Sequence, residues 1–213
     1  PAIADPTKHF NTVLYTGDNT DGRSITGVGF EPNLVWQKNR SSSLDHVLYD
    51  SVRTAGKELR TNTTGAETFS GYISSFNSDG FTVNTGGSGI VNSNGGSHVA
   101  WNWKAGGTAV SNDDGTETVS LSANPTAGFS IIAYTGTGTT DGSDTVGHGL
   151  SQAPELYFVK ARTKASHDWN AYAKPIGVAN YVSLNSTNAS AAQSNGVNHD
   201  EAPTSSVITL IEA

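Results

Sequence analysis

The residues able to do chemistry are scattered rather than clustered. The six histidines are His9, His46, His98, His148, His167 and His199. No two are spaced as a His-x-His or His-Glu-x-x-His pair, so the sequence predicts no metal centre. Two loops gather oxygen ligands near a glycine: Asp18-Asn-Thr-Asp21-Gly22 and Thr139-Thr-Asp141-Gly-Ser-Asp144. Calcium favours such oxygens, yet neither loop has the full twelve-residue calcium pattern. Asx-rich turns account for them better.

Catalysis finds no foothold. No Gly-x-Ser-x-Gly elbow occurs. Glu31, Glu58, Glu67, Glu117, Glu155, Glu201 and Glu212 sit mostly at turns or strand ends. Paired acids of a glycosidase would have to face one groove. The expectation is a non-enzymatic protein that needs no cofactor.

Aromatic rings are the remaining candidates, because they stack on the C–H faces of sugars. Trp101 and Trp103 share one strand face and are assigned to the core, as is Trp36. Trp169 is the candidate ligand-binding residue, expected to be exposed. The sequons at Asn39, Asn62, Asn185 and Asn188 arise by chance in so Asn/Ser/Thr-rich a chain.

What must position these residues is a repeat. Phe10-Asn-Thr-Val-Leu-Tyr15-Thr-Gly17 matches Phe129-Ser-Ile-Ile-Ala-Tyr134-Thr-Gly136. Pro32-Asn-Leu34-Val-Trp36-Gln-Lys38-Asn-Arg40 matches Pro154-Glu-Leu156-Tyr-Phe158-Val-Lys160-Ala-Arg162. Asp45 and Tyr49 match Asp168 and Tyr172. Self-similarity at a long period marks a structural unit used twice. Trp169 falls where the first copy has a polar residue, which is why it stands out.

Within each copy, short runs rich in β-branched and aromatic residues alternate with Gly, Asn and Asp turns. With 24 glycines and 15% charged residues, the chain favours strands over helices. The expected fold is all-β: two tandem small antiparallel β-sandwich repeats of jelly-roll or lectin type. Residues 1–108 form the first, 109–127 a linker, and 128–213 the second. The second copy has no counterpart of Trp101-x-Trp103, so its last strand is expected to be missing. Either the natural chain continues or another chain supplies that strand. In Leu34-Val-Trp36-Gln-Lys38, residues 34, 36 and 38 share a face. Lys38 is expected to reach Asp45 or Asp50, and Lys160 to reach Asp168.

The net charge of −7 does not attract polyanions, so no nucleic-acid partner is expected. No apolar run is long enough to insert in a membrane. The absence of cysteine excludes disulfides and fits synthesis in a bacterial cytoplasm.

The string from Phe10 to Gly17, the segment Arg23 to Ser43, Asp45 to Arg53, Ser78-Asp-Gly-Phe81 and Val99 to Gly107 resemble a domain of uncharacterised function. That domain recurs in tailed-phage structural proteins, notably of marine bacteria and cyanobacteria, often as two tandem copies in tail-fibre or head-fibre proteins. The resemblance implies a virion module that contacts other virion proteins, forms a homo-oligomer and meets a host surface glycan. It carries over no catalytic residue. A bacterial carbohydrate-binding module or adhesin is the alternative.

Overall fold

The computed structural model describes residues 3–86, 89–138, 142–192 and 201–210. The first copy contributes β1 (Phe10–Thr16), β2 (Arg23–Thr26), β3 (Leu34–Asn39), β4 (His46–Asp50), β5 (Lys57–Arg60), β6 (Thr68–Phe69), β7 (Ile73–Asn77), β8 (Gly80–Val83) and β9 (Ser97–Trp103). Then follow β10 (Val110–Asn112), β11 (Val119–Asn124), β12 (Phe129–Ala133), β13 (Asp144–Gly147), β14 (Leu156–Val159), β15 (Asn170–Ala173), β16 (Asn180–Ser183), β17 (Ala191–Ala192) and β18 (Val207–Leu210). Every ladder between these strands is antiparallel. The fold is all-β, as the turn-punctuated short runs require.

The first copy is a two-layer sandwich. A six-stranded sheet in the order β1-β9-β3-β4-β5-β6 faces a three-stranded sheet, β2-β8-β7. Val13, Val35, Val47, Tyr49 and Ala100 of the large sheet pack against Ile25, Ile73, Phe81 and Val83 of the small one. Apolar area withdrawn from water between the layers is the main stabilising term.

The second copy repeats the plan with changes. β13 pairs with β18 as β2 pairs with β8, and β14 pairs with β15 as β3 pairs with β4. Its own core joins Val119 and Leu121 to Val146, Ile208 and Leu210. Two of these core residues lie in the expected linker. Residues 109–127 are therefore not a linker: they carry β10 and β11, and β11 pairs with β12 along five residues from Ser120↔Ala133 to Asn124↔Phe129. The Ser/Asn/Asp/Gly composition hid the alternation of Val119, Leu121 and Ala123, which turn one face to the core.

The core face of the large sheet is unusually polar. Gln37, Asn39, His98 and Asn102 are all fully buried. His98 stacks on Tyr15 at 5.0 Å, and Gln37 Nε2 donates to His98 Nδ1 at 2.9 Å. The amide nitrogens of Gln37, Asn39 and Asn102 are hydrogen-bonded, as burial demands, whereas Gln37 Oε1 and Asn102 Oδ1 have no hydrogen-bond partner. Burial holds His98 below the ordinary histidine value of 6.5, despite backbone hydrogen bonds that favour its charged form. The same cause lowers His148, which is buried in the second copy and accepts the Leu150 amide at 3.1 Å. Both rings are thus neutral in the folded protein and titrate higher in the unfolded chain. The unfolded state binds more protons below about pH 6.5, so stability is complete above that value and falls as pH drops toward the folded values. Urea unfolding at pH 7.5 and pH 5 should show lower stability at pH 5, and His98→Gln should reduce that dependence, with His148 retaining the rest.

Candidate functional site

The outer face of the six-stranded sheet is aromatic. Successive residues of a strand point to opposite faces. Val35 and Ala100 turn inward, so their neighbours Trp36, Trp101 and Trp103 turn outward. The assignment of these three tryptophans to the core is corrected here: all are partly exposed on the far side of the sheet.

Strand pairing puts them together. Trp36 lies opposite Trp101, and Trp103 lies between Phe10 and Leu34. The rings of Trp36 and Trp101 are 5.9 Å apart and inclined at 60°. Trp103 sits 4.8 Å from Phe10 and is stacked on Phe129 at 6.0 Å. A shallow cavity of about 300 Å³ is lined by Trp36, Lys38, His46, Trp101 and Trp103. A second, of about 220 Å³, continues past Trp103 to His9, Phe10 and Phe129.

Polar groups border the rings. Trp36 Nε1 donates to Thr61 Oγ1 at 3.0 Å, which fixes that ring. Lys38 does not reach a carboxylate. Its ammonium donates to the carbonyls of Leu44, at 2.6 Å, and Ser42, at 3.3 Å. Asp45 is taken by Arg60 at 2.7 Å and Asp50 by Arg53 at 2.5 Å. The two carbonyls leave one of the three ammonium protons of Lys38 for an outside acceptor. Lys160 likewise donates to the carbonyls of Thr64 and Ala161 rather than to Asp168. Burial lowers His46, with Lys38 adding to the effect against Asp45, so its imidazole is neutral and can donate or accept. A tilted pair of indoles flanked by one ammonium and one imidazole can stack on a sugar ring and bond its hydroxyls.

Trp169 is elsewhere. It is only 5% exposed, and its Nε1 donates to the Arg60 carbonyl of the first copy at 2.9 Å. It joins the copies and is no exposed ligand platform. Glu67 accepts from Arg53 Nη1 at 3.0 Å and from Arg162 Nε and Nη2 at 3.0 and 3.1 Å.

The carboxylates of the first acidic loop are occupied by their own chain. Asp18 accepts from Thr20 and Asn92, and Asp21 from the amide and hydroxyl of Thr85. Residues 139–141 of the second loop, and His199, lie outside the described residues. Among the described residues no group of three His, Asp or Glu is placed to hold a metal. Sequence reading missed the tryptophan face because it paired large apolar residues with burial. Alternation with Gln37, Asn39 and Asn102 separates the two faces but gives no signal that the amides are the buried set.

Fold and surface together define an all-β sandwich-type chain with an aromatic outer face. Residues 5–213 match a single family model, described as a domain of unknown function, DUF7483, and the chain belongs to that family. No curated protein and no solved structure matches it.

Proposed function

We propose that this chain is a virion structural module of a bacteriophage, in a fibre, decoration or adhesin, which presents the Trp36–Trp101–Trp103 face to a host-surface glycan without catalysing a reaction. The observation that carries the reading is that face itself: three tryptophans turned outward from a sheet whose inward face holds amides and an imidazole. Folding alone gains more from burying rings than from burying amides. Many copies on a symmetric particle would turn weak sugar contacts into strong attachment. Assembly with other virion proteins and with further copies of itself belongs to the same proposal. The phage setting rests on the resemblance of the repeated strings to domains of tailed-phage structural proteins.

Two measurements test it. Mass spectrometry of purified particles should find the chain there, and a glycan array should find a ligand. Trp101→Ala should then weaken sugar binding about tenfold, a loss of about 1.4 kcal/mol, with the unfolding midpoint little changed. Retained affinity in that variant would remove the tryptophan face from the reading. The same surface also suits a bacterial carbohydrate-binding module. A monomer that binds sugar but never appears in particles would favour that alternative.

A further inference from the structure

The tryptophan face ends in positive charge. Trp36 and Lys38 stand two residues apart on β3, on the same side of the sheet. Two residues of strand advance about 6.6 Å, so Lys38 begins roughly one sugar ring beyond the indole. Lys38 and His46 lie opposite each other on β3 and β4, and both line the cavity of Trp36 and Trp101.

The acids of this region are already matched. Asp45, next to His46, pairs with Arg60 at 2.7 Å, and Asp50 with Arg53 at 2.5 Å. Lys38 is different. Its partners are the neutral carbonyls of Leu44 and Ser42, which position the ammonium without cancelling its charge. Arg40, exposed just past the end of β3, is likewise in no ion pair among the described residues. A chain of net charge −7 has acids to spare, yet two cations at one end of this face have none. The face therefore carries a local charge opposite to that of the whole chain, and a bound anion would meet it.

The donors match one kind of anion. Lys38 keeps one ammonium proton for an outside acceptor. Neither ring nitrogen of His46 has a hydrogen-bond partner among the described residues, and a neutral imidazole carries one N–H. Two donors from facing positions on adjacent strands suit the two oxygens of a carboxylate. A sulfate ester brings three outer oxygens and would leave one without a donor here. We infer that the Trp36–Trp101 face selects uronic acids: the sugar ring stacks on the indoles, and the carboxylate on its C5 accepts from Lys38 and His46. Arg40 adds attraction from the rim. The inference rests on the reading of this face as a glycan site and names the class of glycan.

The test titrates the intact chain with galacturonate, glucuronate and mannuronate oligosaccharides, with the methyl ester of each, and with a sulfated neutral oligosaccharide. A methyl ester keeps the stacking ring and removes the charge. At least one uronate should bind about tenfold more tightly than its ester, and added salt should narrow the gap. Lys38→Gln should erase the preference and leave ester affinity unchanged, and Lys38→Arg should keep most of it. Arg40→Gln changes an exposed side chain, so the fold should persist while the preference falls about threefold. The inference is overturned if no uronate binds, if acid and ester bind equally, if the sulfated sugar or an oligoglutamate peptide binds as tightly as the best uronate, or if the preference survives Lys38→Gln. Equal binding of acid and ester that is lost in Trp101→Ala removes the uronate selectivity alone. Failure of every saccharide, neutral ones included, removes the glycan reading with it.

Discussion

Trp169→Ala should destabilise the protein by about 3–5 kcal/mol, as expected when a buried tryptophan is truncated without collapse of its site. The ring is almost wholly buried where the second copy meets the first, and its indole N–H bonds the Arg60 carbonyl. The backbone amide of Trp169 accepts support too: it donates to Asn185 Oδ1 at 2.8 Å, which orients the residue before its side chain packs. Removing the ring leaves a cavity between copies and an unbonded carbonyl. Urea unfolding should therefore lose cooperativity, with one transition for each copy. Trp169→Phe keeps most of the burial and loses the hydrogen bond, so it should cost about 1 kcal/mol more than a well-matched apolar swap. A single transition in Trp169→Ala at nearly native stability would show that the copies are coupled by other contacts.

Glu67→Ala is the second large effect, about 1.5–3 kcal/mol, because it strips the shared carboxylate from a partly buried ion network while Arg53 keeps Asp50. Arg53 is 4% exposed and held between Asp50 and Glu67, while Arg162 reaches Glu67 from the second copy. Arg162 also receives the Glu67 amide on its carbonyl at 2.7 Å, so side chain and main chain join the copies at one point. Burial raises Glu67, but hydrogen bonds and charge from Arg162 and Arg53 outweigh it and hold the carboxyl below its ordinary value of 4.5. A depressed carboxyl contributes stability that is present above the unfolded value and lost as pH falls through the folded one. The network should therefore weaken below about pH 4.5. Glu67→Gln should remove that acid dependence, and a double-mutant cycle with Arg162→Ala measures the coupling between copies.

The acid-sensitive and base-favouring groups act in separate ranges. Loss of stability below pH 6.5 reports the buried histidines, and further loss below 4.5 reports Glu67 together with Asp18, Asp21 and Asp79, which hydrogen bonds also hold below their ordinary value. His98→Gln and Glu67→Gln should each reduce one range, His148 and the surface carboxylates retaining the rest.

Much of the fold was legible in order. Runs such as Leu34 to Lys38 and Val99 to Trp103 carry the β-branched and aromatic residues of strands, and the glycine and Asx turns between them set the spacing. The matching strings marked corresponding strands, β1 with β12 and β3 with β14. The site was less legible. Alternation placed Leu34, Trp36 and Lys38 on one face, and that is where the structure has them.

Alternation alone cannot say which face a second layer will cover. Both faces of β3 hold groups that could be buried, and the choice fell on Val35 and Gln37 because β2, β7 and β8 pack there and Tyr15 and His98 meet the amide. Those partners lie far apart in the chain, so only folding joins them. Trp169 shows the same limit. Its type and its departure from the first copy marked it as free to bind a ligand, but the docking of one copy on the other buries it against Arg60. By itself the sequence determined strand character and turn positions, since these depend on neighbouring residues. The outward tryptophans and the ion network at Glu67 were decided by the tertiary structure, since each depends on which surfaces meet.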